Sequence, residues 1–86
     1  MRPFKRRDGI ILRRIQNELV LLDMQFQQIH QLNETATFIW DFWEQSADEA
    51  VIAKLLAHNF DVEEHIAMKD VSVIVGRLRK LNLLVN

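Results

Sequence analysis

The 86-residue chain has no cysteine and no tyrosine, a single proline (Pro3) and two glycines (Gly9 and Gly76). Without cysteine there is no disulfide scaffold, thiolate zinc site, iron–sulfur cluster or thiol nucleophile. The absence of disulfides fits a cytoplasmic protein. Long apolar runs are also missing. The longest are of about four residues, far short of the ~20 that a membrane-spanning helix needs. The basic start, MRPFKRR, leads into strand-like alternation and not into the apolar core of a secretory signal. No GxGxxG, P-loop or GxSxG occurs. His30, His58 and His65 lack the H-x-x-x-H spacing that puts two imidazoles on one helix face. Glu63 and Glu64 are adjacent and point to different faces, a poor acid–base pair. The expectation is a protein that is not an enzyme and takes no metal or other cofactor.

What is present is a chain that is 49% hydrophobic, normal for a globular protein and too apolar for a disordered one. Its length suits one domain, residues 1–86, burying roughly 60–65% of its unfolded surface. Charge is uneven. Residues 1–14 carry six basic side chains against Asp8 alone, whereas residues 34–70 carry nine acids against Lys54 and Lys69. The expectation for residues 1–8 is a basic, flexible arm, able to steer an acidic peptide or a nucleic acid toward the body.

Residues 10–32 read as three short strands: GIILRRIQ, ELVLLDM and QIHQL. Asn17-Glu18 marks the first turn, since Asn tolerates a left-handed backbone. A polar stretch around Gln25 to Gln27 marks the second. Tight connections make the three an antiparallel meander. The third strand, with Gln28, Ile29, His30, Gln31 and Leu32 in alternation, falls at an edge whose free N–H and C=O groups can take another chain. Proline at Gln28 or His30 is expected to block such pairing wherever the lost N–H points outward.

Residues 33–82 read as three helices. Asn33 caps the first, over about 34–44. Its apolar positions, among them Trp40, Phe42 and Trp43, cover more than one face, so this helix is expected at the centre of the core. Ser46-Ala-Asp-Glu49 has capping-box spacing for the second helix, with Val51, Ile52, Leu55, Leu56 and Phe60 on its inner face. Asp61 caps the third, whose core stripe is Ala67, Val71, Ile74, Leu78 and Leu81. Beside that stripe runs a second row, Ile66, Asp70, Val73 and Arg77, placed to line a groove. Asn82 is expected as a left-handed residue past the helix end, with Leu83 and Leu84 folding back. Three strands then three helices give an α+β fold, winged helix-turn-helix-like in outline.

Leu22-Asp23, then Leu32-Asn33-Glu34-Thr35-Ala36, then Ile39-Trp40 resembles the PqqD family, related to coenzyme PQQ synthesis protein D and also called RiPP recognition elements. Later parts match as Ala50 to Leu56, Phe60-Asp61-Val62, Asp70-Val71 and Leu81 to Leu84, so the likeness runs over about residues 4–85. Three glycines usual in the family are missing: in the turn before the third strand, in an Asp-Gly after the first helix (here Glu44-Gln45), and at Asn82. Trp40 stands where the PQQ-pathway members carry a smaller aliphatic residue. These departures point to a peptide pathway other than PQQ. The resemblance implies a peptide chaperone that adds the leader segment of a ribosomally made precursor to its third strand, in the cleft facing the third helix. It then presents the precursor to a maturation enzyme, a radical SAM enzyme or a leader peptidase. The expected binding residues are Gln28, Ile29, His30, Gln31, Ile66, Asp70, Val73 and Arg77.

Two other uses compete for the same outline. One is a winged-helix DNA-binding protein, but residues 61–82 balance four bases with four acids, where a helix approaching phosphate should be basic. The other is a small scaffold subunit that forms a homodimer through the strand edge.

Overall fold

The computed structural model describes residues 4–46 and 48–86. Its elements are β1 (Lys5–Arg6), β2 (Ile10–Ile15), β3 (Glu18–Asp23), β4 (Gln28–Leu32), α1 (Glu34–Ser46), α2 (Glu49–Phe60), α3 (Glu64–Lys80) and β5 (Leu84–Val85). The expected meander is the antiparallel sheet β2-β3-β4, and the three expected helices follow it. A second, two-stranded sheet pairs β1 with β5.

The sheet turns twice without glycine. Gln16 and Asn17 close the first hairpin, and the left-handed residue is Gln16 (φ 56°), not the expected Asn17. In the second turn Gln27 is left-handed (φ 53°), and the Asp23 carboxylate accepts from the Phe26 N–H at 3.2 Å. Asp23 is itself buried and forms an ion pair with Arg7. Arg7 also donates to the Asn82 carbonyl (2.7 Å) and to Gln25 (2.9 Å).

The expected flexible arm is therefore docked from Phe4 onward; residues 1–3, including Arg2, lie outside the described residues. Lys5 and Arg6 pair with Val85 and Leu84. The Trp43 indole N–H donates to the Phe4 carbonyl at 2.6 Å. The Arg79 guanidinium lies 3.8 Å from the centre of the Phe4 ring. Much of the basic charge is matched locally: Arg6 by Glu44 (3.3 Å), Arg7 by Asp23 and Arg14 by Asp41 (3.0 Å).

Asn33 caps α1 as its sequence position predicts, accepting from the Ala36 N–H at 2.9 Å. Trp40 and Trp43 are buried, and Phe42 packs against the core beside Phe38. The other two caps differ from expectation. Ser46 ends α1, Ala47 lies outside the described residues, and Asp48 caps α2 by accepting from Ala50 and Val51. Asp48 wins because its carboxylate sits one residue before Glu49, within reach of those N–H groups. Asp61 caps no helix start. It is left-handed (φ 55°) and ends α2, while α3 begins after Glu63 with no side-chain cap.

In α2 the buried face is Ile52, Ala53, Leu56 and Ala57, whereas Val51 and Leu55 are exposed. In α3 Ala67, Val71 and Leu78 are buried as expected, joined by Val75, while Ile74 and Leu81 are only partly covered. The end of α3 is a Schellman turn: Asn82 is left-handed (φ 59°), its N–H bonds to the Arg79 carbonyl, and the Leu83 N–H bonds to Leu78. Leu83 and Leu84 then enter the core.

Candidate functional site

The hairpin register fixes what β4 offers. The pair Ile15–Glu18 closes a two-residue turn, and such a turn closes on a hydrogen-bonded pair, after which bonded and non-bonded pairs alternate. So Glu18, Val20 and Leu22 direct their backbone groups to β2, and Leu19, Leu21 and Asp23 direct theirs to β4. The partners of the latter are Leu32, His30 and Gln28, whose N–H and C=O groups are used within the sheet. Ile29 and Gln31 turn theirs outward, where the sheet ends. This overturns the expectation about proline: neither Gln28 nor His30 has an outward N–H.

Side chains alternate in the same rhythm. Leu32 is buried and His30 half-buried on the helix side, while Ile29 is 72% exposed and Gln31 bonds Glu18 (2.8 Å) on the other. Beyond Leu32 the edge stops. Asn33 begins α1, and the Thr37 hydroxyl donates to the Leu32 carbonyl at 3.1 Å.

Between β4 and α3 lies a groove of about 360 Å³. One wall is Ile29 to Asn33, the other is Ile74, Arg77, Leu78 and Leu81, and Ala36 of α1 also borders it. Two polar groups stand out. Arg77 has no ion-pair partner among the described residues. His30 Nε2 is buried and likewise has no hydrogen-bond partner.

Of the eight residues expected from sequence, the groove gathers Ile29, His30, Gln31 and Arg77. Gln28 lies on the same strand but outside the groove. Ile66, Asp70 and Val73 are exposed on α3 and do not line it either. Leu78, buried in the core as expected, also borders the groove, and Ile74 and Leu81, expected in the core, are only partly covered and form much of the wall. The signal was available: with Val75 in the core stripe, four residues after Val71, Ile74 and Leu81 move to its flank. No cluster of three potential metal ligands occurs among the described residues, and no helix is long and apolar enough to cross a membrane.

Fold and edge together define a small winged-helix-like α+β domain with a free sheet strand beside a helix-walled groove. Residues 18–84 match the family model for coenzyme PQQ synthesis protein D (PqqD), and the chain belongs to this family, the RiPP recognition elements, which are non-catalytic peptide-binding domains of natural-product biosynthesis. Two solved structures share its fold. A lasso peptide synthetase B1 complexed with the leader peptide is 26% identical, with a TM-score of 0.87 over 99% of this chain and 100% of that one. TbiB1 in complex with the TbiA(beta) leader peptide is 22% identical, with a TM-score of 0.84 over 93% of each chain. Curated protein sequences give no match to this chain.

Proposed function

We propose that this protein binds the leader segment of a ribosomally made precursor peptide as an added strand on β4, and presents it to a maturation enzyme in the cytoplasm. A radical SAM enzyme or a leader peptidase fits that role. The observation that carries this reading is the outward-facing backbone of Ile29 and Gln31 over a groove walled by α3. Strand addition draws affinity from the backbone and specificity from side-chain pockets. Support comes from the family and from the two similar proteins, each solved with a leader peptide. The binding surface runs along Gln28 to Gln31 and across to Arg77, and continues on α3 along Val73, Asp70 and Ile66. The protein's contribution is effective concentration and orientation of the precursor.

Proline separates this reading from others. At Ile29 or Gln31 it removes an outward N–H and leaves the sheet's own ladder intact. Both variants should keep the circular dichroism and melting temperature of the parent within a few degrees. Titration calorimetry with a synthetic leader peptide, chosen by screening precursor leaders for binding to the wild type, should lose binding with at least one of them. Undiminished binding by both variants rules strand addition out. A homodimer through the same edge would show in sedimentation as a species that dissociates in either variant.

A further inference from the structure

We infer that the groove selects a guest strand carrying a carboxylate, with an apolar side chain two residues away from it. The inference rests on the strand-addition reading above and adds to it the chemistry of the guest.

The geometry follows from the register. His30 uses its backbone groups on β3, so in an antiparallel guest the residue opposite it would sit in a non-hydrogen-bonded pair, and in either direction its side chain shares His30's face. In such pairs the side chains are closest and lie on the same face. That face is the helix side, where His30 borders the groove and Arg77 stands on the opposite wall. Guest residues opposite Ile29 and Gln31 carry the backbone bonds, and their side chains point away from the groove.

The guest residue on that face therefore meets a groove with one cation and no acid. Arg77 is exposed and has no ion-pair partner among the described residues, and no acid borders the groove. A guest carboxylate matches that charge, accepting from the guanidinium. An amide or hydroxyl would leave the Arg77 charge unmatched. A guest ammonium would face like charge. The rest of the groove's far side is apolar, Ala36, Ile74, Leu78 and Leu81, so the neighbouring guest position on the same face should be apolar. The sequence read by the groove is thus an acid and an apolar residue separated by one unconstrained position. Their order depends on whether the guest runs parallel or antiparallel to β4.

Phage display of random dodecapeptides on the full chain tests this. The wild type should enrich Asp or Glu at one position, with an apolar residue two away. Panning on Arg77→Glu should abolish that enrichment or replace it with Lys or Arg. A synthetic wild-type-selected peptide should bind Arg77→Glu at least about tenfold more weakly, the loss of one charge-assisted bond, and Arg77→Lys within severalfold of wild type. Raising salt should weaken it in wild type more than in Arg77→Gln. If selected peptides are lost on Gln31→Pro or Ile29→Pro but show no acidic position, or bind Arg77→Glu unchanged, the carboxylate inference fails while strand addition stands. Peptides that bind both proline variants as well as wild type would take down both.

Discussion

Asp23 and Arg7 show how much one pair can hold in a domain of this size. The Asp23 side chain is fully buried, and its only charged partner among the described residues is Arg7, 16 positions earlier. Removing one member of a buried pair leaves the other charge desolvated and unmatched. Arg7→Ala should therefore destabilise the protein by about 3 kcal/mol, measured by urea unfolding at neutral pH. Asn82 offers the opposite case. It holds a left-handed backbone at the end of α3 with φ 59°, where a Cβ is mildly unfavourable and glycine is not. Asn82→Gly should raise stability by about 0.5 kcal/mol, seen as an upward shift of a few degrees in melting temperature. The cap at Asn82 was legible in the sequence because few residues tolerate that backbone. The Arg7–Asp23 pair was not. A basic residue near the N-terminus reads as solvated charge, and only the folded chain brings it to the β3–β4 turn.

At the scale of elements, the strands and helices were all legible from period and polarity, save the two-residue strands β1 and β5. Those are too short to carry a period, and each exists only because the other is beside it. Caps were legible where one candidate stood alone, as with Asn33. They misled where an acidic or hydroxyl residue recurred every few positions: Ser46 gave way to Asp48, and Asp61 to a helix end. The groove wall was misplaced by the rotation of α3, since Ile74 and Val75 are equally apolar and only packing decides between them. The register of β4 could not be read from sequence either, because it depends on which residues close the first hairpin. That register makes a sharp contrast. His30→Pro removes an N–H that bonds within the sheet, so it should lower the melting temperature clearly, whereas proline at its neighbours Ile29 and Gln31 should not.

Across the whole molecule, the N-terminal segment acts as a strap that joins both ends of the fold. Trp43 holds Phe4 by its indole, Arg79 covers the Phe4 ring, and Arg7 reaches both Asn82 and the second turn of the sheet. Trp43→Phe keeps the ring in the core and deletes the single N–H bond. It should leave the core amides protected while those of Lys5 and Arg6 exchange faster, as read by hydrogen–deuterium exchange. The strap also explains why the basic start, from Phe4 onward, does not project as a steering arm: two of its arginines, Arg6 and Arg7, are matched by acids of the body.

The alternation along β4 has a last consequence, one of phase. For a guest added as proposed, a surface whose outward backbone groups fall on every second residue, Ile29 and Gln31, would distinguish odd from even. A guest that slides by two positions presents the same set of side chains to the groove. A guest that slides by one turns its whole message to the other face. Inserting a single residue between two recognised positions of a partner would therefore silence one of them, while inserting two keeps both in phase and only lengthens the distance between them.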